Sequence, residues 1–210
     1  MVDFGDSPAE PGARRIMETS MNFQWWAATL AASIALGLAS PAFAQQAPSN
    51  APVAVSKDPF GVEVMLMPKT IIFMKGNSTW DKALENLQDA FKSVYGVIDS
   101  RGLAKAGPAM TIYTQADDTG FSFQAAVPIA EAPQDPPKGD IAIGQSPGGK
   151  ALKFVHRGSY DSMDSTYEAI TNHLDEKRLE AADSFIEEYE TDPVTTPEDK
   201  FVVTVYVPLK

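Results

Sequence analysis

The chain has 210 residues, a formal net charge of −11 and no cysteine. An acidic surface repels phosphate backbones, so nucleic-acid binding is disfavoured. Without thiols there is no disulfide framework, no lipid-modified cysteine and no thiolate metal site.

Residues 22–44 read NFQWWAATLAASIALGLASPAFA. The apolar run from Trp25 to Leu38 suits the core of an export signal, and it falls short of the ~20 residues that a spanning helix needs. Ala42-Phe43-Ala44 fits the small-x-small cleavage rule, with Arg14 and Arg15 upstream as the positive charges. The expectation is a signal peptide over 1–44, a periplasmic destination and no stable membrane insertion after cleavage. An uncleaved anchor is the alternative. Residues 45–59, rich in Ala, Pro, Ser and Gln, are expected to be a disordered linker. A single domain over 60–210 follows.

Within that domain, alternation predicts a first strand from about Gly61 to Leu66. Pro68 interrupts it, and Thr70 to Met74 makes the second strand. Ser78-Thr79-Trp80-Asp81 resembles a capping box. Trp80, Ala83, Leu84, Leu87, Phe91, Val94 and Tyr95 then recur at helical spacing, and Gly96 is the expected stop. The third strand is Met110 to Thr114. Asp117 to Gly120 is a hairpin turn, and Phe121 to Val127 is the fourth strand. The breaker-rich segment Ala132 to Gly139 connects to Ile141–Gly144 and Lys150–His156, expected as a hairpin around Ser146 to Gly149. A second helix runs from about Ser162 to Leu174, with Met163, Tyr167, Ile170 and Leu174 as its buried stripe. Strands at Ser184–Glu190 and Phe201–Val207 close the chain.

The second half repeats the first: strand, strand, helix, strand, strand. Each half has a Gly before its helix (Gly76, Gly158), a Tyr in the strand after it (Tyr113, Tyr189) and a closing Val-Pro-aliphatic (Val127 to Ile129, Val207 to Leu209). Repeat one spans 60–130 and repeat two 140–210. Two such units imply pseudo-twofold symmetry, with the seam between them as a natural cleft.

Few motifs carry chemistry. Gly144 to Ala151 nearly matches a phosphate-binding loop, but Ala151 replaces the hydroxyl that would hold magnesium, and a strand follows where a helix should. There is no GxSxG nucleophile elbow. His156 and His173 lack co-ligands at workable spacing, so no metal site or cofactor is expected. His173 reads as a half-buried packing residue beside the stripe of helix two. The segment Phe185 to Asp192 is different, with four carboxylates within eight residues. Strand alternation puts Phe185, Glu187 and Tyr189 on one face. If that face is inward, Glu187 is a buried carboxylate beside aromatic rings, which marks a candidate site. If Ile186 faces inward, Glu187 to Glu190 form a solvated edge.

His156-Arg157-Gly158-Ser159-Tyr160, the second helix, Glu187-x-Tyr189-x-x-Asp192-Pro193, Pro197-Glu198 and Val205 to Leu209 together resemble the GyrI-like, AraC-type effector-binding domain family. The resemblance runs from about Val62 to Lys210. It implies an α+β fold of duplicated βαββ units, with two helices flanking an antiparallel sheet around a central ligand cleft. It also implies that Glu187 lies in that cleft and meets cationic, aromatic ligands. Aligning Tyr113 with Tyr189 puts Thr111 opposite Glu187. The family's DNA-reading relatives carry a helix-turn-helix domain, which this chain has no room for.

The leading expectation is a periplasmic small-molecule-binding protein for hydrophobic or cationic ligands, with Glu187, Tyr189, Tyr113, Tyr160 and Trp80 as candidate binding residues. One alternative is a hydrolase of electrophilic compounds using Glu187 and Tyr189. Another is an envelope protein-interaction module. Heme, with His156 as axial ligand, is a minor option suggested by heme-binding proteins of similar fold.

Overall fold

The computed structural model describes residues 58–210. The expected signal peptide and nearly all of the expected linker lie outside the described residues. The elements are β1 (Phe60–Leu66), β2 (Thr70–Thr79), α1 (Ala83–Arg101), β3 (Ala109–Ala116), β4 (Gly120–Pro128), β5 (Ile141–Gln145), β6 (Gly149–Gly158), α2 (Met163–Lys177), β7 (Phe185–Tyr189) and β8 (Phe201–Pro208). A short 3-10 turn precedes each long helix, Trp80–Lys82 and Tyr160–Ser162. The fold is α+β: one eight-stranded antiparallel sheet with two helices. The strand order is β1-β6-β8-β7-β3-β4-β2-β5. It is unchanged when β1 to β4 are exchanged for β5 to β8 and the list is read backwards.

Four local expectations need correction. The segments now seen as β5 and β6 do not form a hairpin: β5 pairs with β2 and β6 with β1 and β8. Alternation marks a strand but carries no information about its partner. Likewise, the second strand does not stop at Met74. It continues to Thr79 because β4 pairs along its whole length, as far as Thr79↔Gly120. Gly76 therefore lies within that strand, where the Phe123 ring fills the place of a side chain: a Cβ there would sit 2.5 Å from Phe123 Cζ. Ser78 is not a helix cap either, since its hydroxyl donates to the Thr79 carbonyl and accepts from Asn86. Finally, α1 runs through Gly96, because Ile98 continues the buried stripe. It ends at Gly102 (φ 63°), the left-handed residue that closes the helix.

Pairing β1 with β6, and β5 with β2, forces the sheet to roll. Five strands separate β1 from β2 in the sheet, about 29 Å if it were flat. The link from Leu66 to Thr70 spans at most ~14 Å when fully extended. The same holds between β5 and β6. The two short links meet: Lys69 N–H donates to Ser146 Oγ at 2.9 Å, and Ser146 N–H donates to the Lys69 carbonyl at 2.9 Å. Lys69 Nζ also reaches Glu188 Oε2 at 3.0 Å, on the sheet face away from Glu187. A small apolar cluster, Ile71, Met110, Ile112, Ala126 and Ile186, lies on that face. The main core lies between the other face and the helices, with Phe91, Val94, Phe154 and Phe201 almost fully enclosed.

Candidate functional site

β7 and β3 are the two central strands of the sheet, and Thr111 pairs directly with Glu187 across their seam. Being central, β7 is buried on both faces. Phe185, Glu187 and Tyr189 turn toward the helices, and Ile186 and Glu188 turn to the other face. Both faces being covered removes the solvated-edge alternative, and Glu187 is only 1% exposed.

Three tyrosine hydroxyls converge on this carboxylate. Tyr167 from α2 donates to Oε1 at 2.5 Å. Tyr189 and Tyr113 donate to Oε2 at 2.8 and 3.0 Å. Behind them, Tyr189 Oη lies 3.2 Å from Thr111 Oγ1, and Tyr113 Oη lies 3.4 Å from Tyr160 Oη. The same-face spacing of residues i and i+2 lets the Tyr189 phenol bond the carboxylate two residues before it. The Phe91 ring meets the Tyr189 ring edge-on at 5.5 Å, and Phe121 packs on Tyr113 at 5.1 Å. Among the described residues, Glu187 has no cationic partner. Burial pushes its pKa up, and the bonds from Tyr167, Tyr189 and Tyr113 oppose that shift. The hydroxyls of Tyr113, Tyr167 and Tyr189 are held well above their ordinary range, by burial first and then by the Glu187 charge. Tyr160 is raised for the same reasons.

Of the five candidate binding residues, the structure brings four together: Glu187, Tyr189, Tyr113 and Tyr160. Trp80 stands apart. It lies in the turn before α1 and not on the helix stripe. It is 37% exposed, donates its indole N–H to the Asp117 carbonyl and packs on Phe121 at 4.8 Å. Phe121 packs between it and Tyr113. Tyr167 is the residue that the sequence reading missed, having been assigned to the packing stripe of helix two. The signal was present, because a buried tyrosine needs a partner for its hydroxyl.

The centre of the site is filled by these phenols. Two surface hollows, of about 380 and 250 Å³, lie instead around Lys75, Gly76 and Asn77 of β2. His156 is 4% exposed, with Nδ1 against Thr166 Oγ1 at 2.8 Å and Nε2 against the Ser159 carbonyl at 3.1 Å. The carbonyl accepts, so Nε2 carries the proton and Nδ1 accepts from Thr166. With both nitrogens engaged, axial ligation of a heme would break two hydrogen bonds. Burial lowers the His156 pKa, against the opposing effect of its backbone contacts. His173 packs edge-on against Phe60 and Phe154, the expected role. No cluster of His, Asp and Glu among the described residues could hold a metal.

Comparison with known proteins places this geometry. The C-terminal domain of EcmrR superposes with a TM-score of 0.60 at 12% identity, covering 72% of this chain and 97% of that one. EcmrR in its DNA complex gives 0.62 at 13% identity, covering 72% of this chain; the match spans only 57% of EcmrR. SAV2435 bound to tetraphenylphosphonium gives 0.52 at 14% identity, covering 72% and 94%. A hydrolase from Listeria innocua gives 0.52 at 12% identity, covering 71% and 91%. At such identities these likenesses show a shared fold. No curated protein matches the sequence. The sequence pattern of the GyrI-like small molecule binding domain matches residues 62–210, and over that span the chain belongs to the GyrI-like family.

Proposed function

We propose that this small-molecule-binding domain takes up hydrophobic cations at Glu187, in an exported protein of the periplasm. One observation carries the ligand class: a carboxylate 1% exposed, ringed by tyrosines and without a cationic partner among the described residues. Aromatic faces attract cations by ~0.5–2 kcal/mol each, and a desolvated carboxylate adds charge and orientation. SAV2435, of the same fold, is known bound to tetraphenylphosphonium, which supports this reading. The expected signal peptide over 1–44 supports the location. No helix among the described residues is long and apolar enough to cross a membrane. The same proposal treats the two halves as copies of one unit, supported by the reversible strand order.

The test is a calorimetric titration with tetraphenylphosphonium and with tetraphenylborate, an anion of the same shape. Saturable binding of the cation alone, weakened at least tenfold in Glu187→Gln, is the expected result. Equal binding of both ions, or an unchanged Glu187→Gln, would sink the role of the carboxylate. The hydrolase alternative uses the same residues, and a Listeria innocua neighbour is described as a hydrolase. General-base action requires a water on Glu187, and three phenol hydrogens already take up three of its roughly four acceptor positions. Binding is therefore the reading the geometry supports best.

A further inference from the structure

The hydrogen bonds around Glu187 have a property that simple charge complementarity does not require. Each phenol on Oε2 has a second oxygen within reach. Tyr189 can turn its hydrogen to Thr111 Oγ1 at 3.2 Å, and Tyr113 can turn its hydrogen to Tyr160 Oη at 3.4 Å. If Oε2 is ionised, both phenols donate to it. If Oε2 carries a proton, it donates to one phenol oxygen, and that phenol donates outward to its second partner. The same heavy-atom arrangement thus satisfies both states, which an unpaired buried carboxylate needs.

The surrounding charges do not fix the ionised form. The neighbours are Tyr113 on β3, Tyr189 on β7, Tyr160 in the turn before α2 and Tyr167 on α2. Asp164 of α2 acts on Tyr160 and is itself an acid. His156 on β6 turns both nitrogens away, to Thr166 and Ser159. The α1 side contributes the Phe91 ring.

We propose that the site works by exchange: the empty site holds Glu187 as the carboxylic acid, and a bound cation expels that proton. The step balances as Glu187–COOH plus ligand cation giving the Glu187 carboxylate–cation pair plus one proton released to solvent. The closed tyrosine cage is then a resting state that needs no counter-ion. A cation pairs with the site only where the carboxyl can give up its proton. The inference rests on the cation-binding reading above and adds a stoichiometry to it.

The test titrates the full-length protein with tetraphenylphosphonium in two buffers of different ionisation heat, across about pH 4 to 9. The difference between the buffers counts protons released per cation bound. The expected result is release approaching one proton at low pH and falling toward zero at high pH. In the same window, affinity should weaken by about tenfold per pH unit on the acid side. Triphenylphosphine oxide, a neutral analogue, should release none wherever it binds. Tyr113→Phe, which removes one hydrogen bond to Oε2 but keeps the carboxyl, should retain release of a proton at a shifted pH. Cation binding with no proton release and a flat pH profile would overturn the exchange and leave the binding role standing. Proton release that persists in Glu187→Gln overturns it as well. Absence of tetraphenylphosphonium binding at every pH overturns both.

Discussion

The two halves of the fold share an order of strands and helix and differ in what those elements carry. In the first, α1 buries Ala83, Leu87, Ala90, Phe91, Val94 and Ile98. In the second, α2 fully buries only Met163 and Ile170 and uses Tyr167 to reach Glu187. At the seam, Thr111 of the first half stands directly opposite Glu187 of the second. The turn residues before the helices diverge too: Tyr160 faces the cluster, and Trp80 packs at the surface. The first half supplies the platform together with Thr111 and Tyr113, and the second supplies Glu187 and the other three tyrosines. A strand order that reads the same from both ends therefore does not make the two sides of the seam alike, because Thr111 on one strand faces Glu187 on the other.

The largest effect should come from the platform. Phe91→Ala removes a fully enclosed ring and should cost about 3–5 kcal/mol, read by chemical denaturation. Ile170→Ala in α2 should cost less than that. If the two lose equal stability, the division into platform and chemistry fails.

Gly61→Ala tests the support that the first half gives the second. Gly61 has φ 69°, and a Cβ there would lie 2.3 Å from His173 Nε2 on α2. The expected loss is about 1–3 kcal/mol, with α2 loosened. Hydrogen exchange should show faster opening in α2 than in α1, and equal opening in both would contradict the contact.

The smallest effect is electrostatic and centres on Glu187. The folded state raises the pKa of Glu187, so it favours the protonated carboxyl. That contribution to stability is complete below the ordinary carboxylate range and is lost as pH rises through the raised value. Unfolding free energy should therefore fall across this window in the ligand-free protein, by no more than about 1.4 kcal/mol per pH unit, and the melting temperature with it. Glu187→Gln should flatten that part of the profile, while Thr111→Val should retain it.

Glu187 was legible because strand alternation puts it with Phe185 and Tyr189, and burial of that aromatic face carries the carboxylate inward. Tyr167 was not, since helical spacing describes it equally well as packing. The helix stop at Gly96 misled for a related reason. Glycine weakens a helix locally, but Ile98 beyond it secures another turn against the core. Strand partners were the least legible. Whether the strand after Pro147 folds back on its predecessor or crosses to β1 depends on a sheet assembled from distant residues.

That crossing has a consequence for how the chain acquires its structure. Each half hands its first strand to the other: β1 completes the sheet beside β6, and β5 completes it beside β2. Neither half can finish its own sheet, so neither is an independent folding unit. β1, with Val62 and Met65 exposed at the edge, has no strand partner until residues from Gly149 onward are available. Folding must wait for contacts between segments far apart in sequence, which makes it slow and leaves an apolar edge open meanwhile. For a chain that emerges N-terminus first, the earliest strand to appear is among the last to be sheltered.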